Sequence, residues 1–204
     1  YPAYDRFSTP GEEMIEHFDG VGAQFENTFF KRSAEAMLDA GYGFDYISDK
    51  QIANTKVADA ALITEGDSKY STLILPQSKF IPLSTFRNVL ALAEGGATII
   101  MAGGPPSDVS GLFNLDENRK IFRELSAKLE GGEETKNVKD IKMGRGRILI
   151  GNDPITLLLH AGTRGETIVK NNLQFLRKTT HDNKTLYLIS SSETAFEGWL
   201  TLSA

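Results

Sequence analysis

Apolar and polar positions along the chain alternate between short unbroken apolar runs and longer amphipathic stretches. The apolar runs are "STLILP" (71–76), "ATIIMAG" (97–103) and "RILIG" (147–151). Runs of this length predict strands that are covered on both faces. Strands that alternate with helices are typical of right-handed βαβ units, so we expect a doubly wound parallel sheet with the strand at 71–76 near its centre.

The amphipathic stretches predict four helices. In the second of them Phe86, Val89, Leu90 and Ala93 fall on one helical face. Gly95-Gly96 predicts the end of this helix, because glycine readily adopts the positive φ angle of a helix C-terminus. Asp153-Pro154 predicts the start of the last helix, with Asp153 as its cap and Pro154 at its first position. The predicted helices span 26–40, 82–96, 116–130 and 153–162.

Further segments predict connections and a change of architecture. "FDYIS" (44–48) indicates another strand, the turn at 66–67 a small hairpin rim, and the polar, glycine-rich stretch 131–147 a surface loop. From about residue 171 the period changes, and "LQFLRKTT", "KTLYLISSS" and "AFEGWLTLSA" predict three antiparallel strands. We therefore expect an α/β domain over 1–170 and, over 171–204, strands that begin a β-sandwich or pack on the α/β layer.

Composition narrows the function classes. The chain has 204 residues, 40% of them hydrophobic, which is enough for a core. A net charge of -5 with scattered basic residues argues against nucleic acid or an anionic membrane surface as partner. No apolar run reaches the roughly 18 residues of a membrane-spanning helix. The absence of cysteine excludes a thiolate nucleophile, a disulfide framework and Cys-ligated metal.

The glycine-rich loop "MAGGPPS" (101–107) follows a predicted strand, at the sheet edge where α/β proteins place ligands. It lacks the spacing and lysine of a phosphate-binding loop. Ser107 and Ser110 lie outside any G-x-S-x-G elbow, which argues against a serine nucleophile. We expect a turn that needs glycine and predict no catalytic residue. The predicted ligand contacts are Gly103, Gly104, Ser107 and Trp199.

Other candidate groups are dispersed. His17, His160 and His181 form no metal-binding motif, so neither a metal site nor a cofactor is predicted. Asp45 and Asp49 bracket the predicted strand 44–48 and could in principle form a carboxylate pair for acid/base chemistry. Positions four apart on a strand are separated by roughly 13 Å, beyond the roughly 5–9.5 Å of glycosidase carboxyl pairs.

Two resemblances follow from these segments. The strand-turn at 97–104 resembles that of class I glutamine amidotransferases, although Ala102, Gly103 and Gly104 stand where those enzymes carry the nucleophilic cysteine. The order of "GYGFDYISDKQI", the segment 68–103, "MGRGRILIG" and "LQFLRKTTHDNKTLYLISSSETAFEGWLTL" is similar to the C-terminal half of bacterial α-L-rhamnosidase-type glycoside hydrolases of family 106.

The second resemblance implies a non-catalytic, flavodoxin-like or class I glutamine amidotransferase-like three-layer α/β domain of a carbohydrate-degrading enzyme. The family's catalytic glutamates and calcium ligands belong to a barrel that this chain lacks, so none is transferred. The implied partners are the other domains of the parent glycosidase, with oligo- or polysaccharide as a further candidate, and the implied location is periplasmic or secreted.

Two alternatives remain open at this stage. One is a stand-alone carbohydrate-binding or oligomerisation module that uses the loops 3–25, 77–81 and 103–115 together with Trp199. In β-galactosidases a similar domain serves in trimerisation. The other is an independent hydrolase with Ser107 or Ser110 as nucleophile, which the missing elbow disfavours.

Overall fold

A computed structural model describes residues 3–8, 28–180, 182, 184–191 and 195–202. Its helices are α1 (Ala3–Phe7), α2 (Phe29–Asp39), α3 (Asp49–Asn54), α4 (Leu83–Gly95), α5 (Leu115–Ser126) and α6 (Pro154–His160). Short 3-10 helices span Ala127–Leu129 and Thr167–Asn171. The strands are β1 (Lys56–Ala58), β2 (Ala61–Ile63), β3 (Lys69–Tyr70), β4 (Thr72–Pro76), β5 (Phe80–Ile81), β6 (Thr98–Ala102), β7 (Asp108–Val109), β8 (Glu133–Thr135), β9 (Val138–Met143), β10 (Gly146–Gly151), β11 (Leu173–Thr179) and β12 (Thr185–Ser191).

The main sheet has five strands in the order β4-β6-β10-β9-β8. Strands β4, β6 and β10 are parallel in one register, in which Ile100 lies opposite both Ile74 and Leu149. Strands β9 and β8 continue the sheet in antiparallel fashion. The sheet is therefore parallel over the three strands that the apolar runs predict, and mixed as a whole.

Two predictions about this sheet are wrong. The stretch 131–147 is not a loop, because it forms β8, β9 and the turn into β10. Lys136 and Asn137 make the β8–β9 turn with positive φ angles of 50° and 66°, the backbone that a two-residue hairpin needs. Since these strands extend the sheet on one side only, the strand at 71–76 lies at the other edge of the described sheet and not near its centre.

Helices pack on both faces of the main sheet. On one face α4 buries Phe86 and Val89 against Ile99 and other residues of the core, and Phe86 and Phe122 stack at 4.8 Å between ring centroids. On the other face Met37 and Leu157 pack with alternate strand residues, including Ile100 and Leu149. Because successive strand residues point to opposite faces, the unbroken apolar runs supply both clusters. The flavodoxin-like, amidotransferase-like assignment itself stays a prediction.

The predicted helices are confirmed where the structure describes them, with boundaries shifted by a few residues. The inward positions of α4 are correct, since Phe86, Val89, Leu90 and Ala93 are at most 2% exposed. Gly96 ends this helix with φ 122°, and Asp153 caps α6 by accepting from the Ile155 and Thr156 amides. None of the described helices has the length and apolar character to cross a membrane.

Two further predicted strands are absent. Residues 44–48 form no strand with any described residue, and Ser48 instead caps α3 through a reciprocal bond with Gln51. The third predicted strand, "AFEGWLTLSA", is irregular over its described residues 195–202. The first two form the antiparallel hairpin β11–β12, with Leu176 opposite Leu188. The domain boundary at 170 stays a prediction.

Candidate functional site

Three parallel strands of the main sheet end side by side, and their loops meet. The amide of Gly103, directly after β6, donates to the carbonyl of Gly151 at the end of β10 at 2.7 Å. Gly103 has φ 87°, and a Cβ there would lie 2.6 Å from the Cβ of Gln77, directly after β4. Glycine is therefore required for the close approach of these loops, as the sequence predicted for a turn of this kind.

The loops after β4 and β6 are also joined by backbone bonds. The short strands β5 and β7 pair in parallel, with Phe80 opposite Asp108. The amides of Ser107 and Asp108 both donate to the Lys79 carbonyl at 3.0 Å. Sequence positions almost 30 residues apart thus form one surface, and its polar backbone groups are largely satisfied within the protein.

Asp5 on α1 binds the backbone of the loop after β4. Its two carboxylate oxygens accept from the Lys79 and Phe80 amides, each at 2.7 Å. A carboxylate that accepts two backbone N–H groups forms charge-assisted bonds, which are about twice as strong as neutral ones. No local pattern in the sequence shows that α1 lies beside loop 77–81, so this contact of Asp5 could not be predicted.

An ion pair fixes the loop after β6 to the next helix. Arg119 on α5 donates to both carboxylate oxygens of Asp108, with Nη2 2.5 Å from Oδ2 and Nε 2.9 Å from Oδ1. This fork of hydrogen bonds holds the pKa of Asp108 below its ordinary value, with smaller contributions from the Val109 amide and the Lys79 charge. Asp108 therefore stays ionised and serves the loop's geometry.

The predicted ligand contacts have different environments. Gly104, with φ 99°, has open space where a Cβ would stand. Ser107 is exposed, and its hydroxyl lies 3.4 Å from the Lys79 carbonyl, so its described partner is a main-chain acceptor and not a base. Trp199 is fully exposed, so it does not pack on this loop. The structure brings Gly103, Gly104 and Ser107 together, and ligand contact by these residues stays a prediction.

The described histidine belongs to a surface network. His160 Nε2 lies 3.2 Å from an Asp140 carboxylate oxygen, which also receives a 3.3 Å bond from Arg147. His17 and His181 lie outside the described residues. Among the described residues there is no group of three or more His, Cys, Asp or Glu side chains placed to hold a metal ion.

Asp45 and Asp49 each bind a tyrosine. The Tyr70 hydroxyl donates to Asp45 at 2.6 Å, and the Tyr4 hydroxyl donates to Asp49 at 2.7 Å. The bond to Asp49, together with burial, raises the pKa of Tyr4 to about 12. Each carboxylate thus accepts a hydrogen bond from a different tyrosine, and neither bond joins the two carboxylates into an acid/base pair.

The buried carboxylate of Glu166 anchors the β11–β12 hairpin. The Glu166 side chain is 2% exposed, and its Oε1 accepts from Arg177 and from the Tyr187 hydroxyl, both at 2.8 Å. The Glu166 amide donates to the carbonyl of Gly41, which follows α2 in the chain, at 2.8 Å. The three partners come from separate elements, so no spacing in the sequence reveals this contact.

Comparison with known proteins agrees with the resemblance seen in the sequence. The glycoside hydrolase family 106 model, described as alpha-L-rhamnosidase, matches residues 17–197. Among solved structures, the rhamnosidase from Novosphingobium sp. PP1Y is similar in fold, with a TM-score of 0.51 and 20% identity. That match covers 69% of this chain and 12% of the rhamnosidase chain. No curated protein sequence matches significantly. Because the family model matches most of this chain, the chain belongs to glycoside hydrolase family 106, the alpha-L-rhamnosidases.

Proposed function

We propose that this chain is a non-catalytic structural domain of a family 106 glycoside hydrolase, which supports a catalytic domain elsewhere in the polypeptide. Two facts about relatives support the proposal. The chain belongs to the family, and it spans only 12% of the length of the solved rhamnosidase that it resembles. Most of such an enzyme therefore lies outside a region equivalent to this one.

The observation that carries the proposal is the state of the carboxylates where the parallel strands end. A glycosidase needs two carboxyl groups, one of them a general acid whose pKa is raised. At this edge Asp108 and Asp153 have the opposite shift. Arg119 lowers the pKa of Asp108, and hydrogen bonds from Thr156 lower that of Asp153. Both groups remain ionised and act as structural acceptors.

An exposed apolar pair at the same edge supports the buttressing role. Leu112 and Phe113 follow β7 and are 88% and 84% exposed. Contiguous exposed apolar side chains are a feature of protein–protein interaction sites. We propose that they pack against another domain of the same enzyme, with the amidotransferase-like α/β layer as a rigid support.

The test compares the complete product of the gene that encodes this chain with the 204-residue chain alone, on an aryl α-L-rhamnoside. We expect turnover by the complete product and none by the chain. In the complete product, Asp108→Asn and Asp153→Asn should leave kcat within about two-fold while lowering stability, since both residues hold structure. Sugar release by the isolated chain, or a loss of kcat of about a thousand-fold in either variant at full folding, would refute the proposal.

A further inference from the structure

A groove of about 1570 Å³ runs between β11 on one side and the segments 38–45 and 66–70 on the other. Pockets for single small molecules have volumes of roughly 300–1,000 Å³. The groove therefore has room for an extended ligand of several linked units. It is separate from the glycine loop at 103–107, since none of that loop's residues lines it.

Aromatic rings supply flat apolar surfaces in this groove. Phe44, Tyr70 and Phe175 line it, and all three are partly exposed. The Tyr70 ring is held by its 2.6 Å hydrogen bond to Asp45. Rings that are already fixed cost little conformational entropy when a ligand stacks on them. The C–H face of a pyranose ring is an apolar surface of suitable size for such stacking.

The polar groups of the groove carry both signs of charge. Asp39, Asp45 and Asp67 lie on one bank together with Lys69, and Arg177 and Lys178 lie on the other. The three carboxylates would repel a phosphate or polyanion, and Arg177 already binds Glu166 at 2.8 Å. A sugar hydroxyl both donates and accepts hydrogen bonds, so a neutral polyol suits acceptors on one bank and donors on the other.

The backbone of β11 adds further partners. In the described part of the chain β11 pairs with β12 alone, and the consecutive residues 172–180 all line the groove. Because successive side chains of a strand point to opposite faces, a consecutive run can line one groove only along the strand's edge. Unpaired N–H and C=O groups of that edge therefore face the groove and can bind hydroxyls.

We propose that this groove binds a neutral oligosaccharide and acts as an accessory subsite that holds the carbohydrate substrate near the enzyme. The inference rests on the proposed function, because it takes the chain to be part of a carbohydrate-degrading enzyme. A strand of polypeptide added along the β11 edge is the competing occupant. Such a strand would use the backbone edge and would not need the aromatic rings.

The experiment uses the complete gene product with Tyr70→Ala and, separately, Gln174→Ala, which removes an exposed side chain of β11 that lines the groove. The probes are a rhamnose tetrasaccharide and an aryl α-L-rhamnoside. We expect KM for the tetrasaccharide to rise about ten-fold in Tyr70→Ala and by less in Gln174→Ala, with kcat and the aryl glycoside KM unchanged. Tyr70→Phe should keep most of the affinity, and Glu124→Ala, an exposed position of α5 outside the groove, all of it.

Two results would overturn the inference. One is an unchanged tetrasaccharide KM in both groove variants at normal thermal stability. The other is a loss of stability in the complete product with an unchanged tetrasaccharide KM, which would show that Tyr70 supports the fold and does not contact the ligand. Failure of the proposed function has a different readout, because it would appear as sugar release by the isolated chain, whatever the KM values of the groove variants.

Discussion

Glu166→Ala tests the structural role of the buried carboxylate most directly. The substitution removes an acceptor that is 2% exposed and leaves Arg177 and Tyr187 without their 2.8 Å partner. Removing one partner of a fully buried ion pair costs about 3–5 kcal/mol. Arg177 is 40% exposed and can regain water, so the cost should be smaller. We expect the free energy of unfolding to fall by about 2–3 kcal/mol.

The assay has a global and a local readout. Urea unfolding followed by circular dichroism gives the change in free energy, and hydrogen exchange reports opening of β11 and β12. Glu166→Gln keeps an oxygen acceptor without the charge. Its free energy of unfolding should therefore fall by roughly half as much, about 1 kcal/mol. Glu124→Ala on the exposed side of α5 is the matched control and should change stability by less than about 0.5 kcal/mol.

Hydrogen exchange distinguishes a local anchor of the hairpin from a general contribution of Glu166 to core burial. If Glu166 holds the hairpin, exchange in Glu166→Ala should rise first in β11 and β12 while the main sheet stays protected. A loss of stability below about 0.5 kcal/mol, or uniform exchange across the whole chain, would contradict the reasoning. A small loss of stability would mean that Arg177 and Tyr187 find other partners of equal strength. Uniform exchange would mean that the hairpin and the main sheet open as one unit.

Two other predictions concern backbone approach and pH. Gly41→Ala should cost at least about 2 kcal/mol in chemical unfolding, because Gly41 has φ 81° and its Cβ would lie 2.2 Å from the Glu166 carbonyl oxygen. Gly43→Ala, with no atom within 4 Å of the added Cβ, should be nearly neutral, and equal costs would refute the packing argument. Arg119 lowers the pKa of Asp108, so their pair stabilises the fold above Asp108's ordinary pKa of about 3.9, and this contribution is lost as pH falls through the lower folded value. In urea midpoints measured across this range, the difference between Arg119→Ala and the parent should therefore shrink in acid, and a constant difference would count against the pair.

Prediction from sequence worked best where one short segment contained the whole cause of a structure. The helix α4 shows an apolar face at 3.6-residue spacing and ends at glycine, and α6 has a capping aspartate before a proline. Errors arose where a partner strand decided the outcome. The polar stretch at 131–147 forms strands because β10 offers an edge to β9, and 44–48 forms none with the strands that the structure describes.

The candidate sites divide in the same way. Gly103 was correctly predicted as a residue of a tight loop, since a glycine pair after a buried strand is a local pattern. The contacts of Asp5 with loop 77–81, and of Glu166 with Arg177 and Tyr187, join residues that no spacing connects. Each depends on which elements the fold places side by side, so the sequence alone could not reveal them.

The amino-acid sequence by itself therefore determined the alternation of buried strands with amphipathic helices, the absence of cysteine chemistry and the resemblance to family 106 glycosidases. These features follow from local periodicity, composition and residue order. Only the tertiary structure decided the strand order of the main sheet, the closure of its strand-end loops and the groove beside β11. The physical reason is that strand pairing, ion pairs and cavities arise between distant segments, whose approach is set by packing of the whole core.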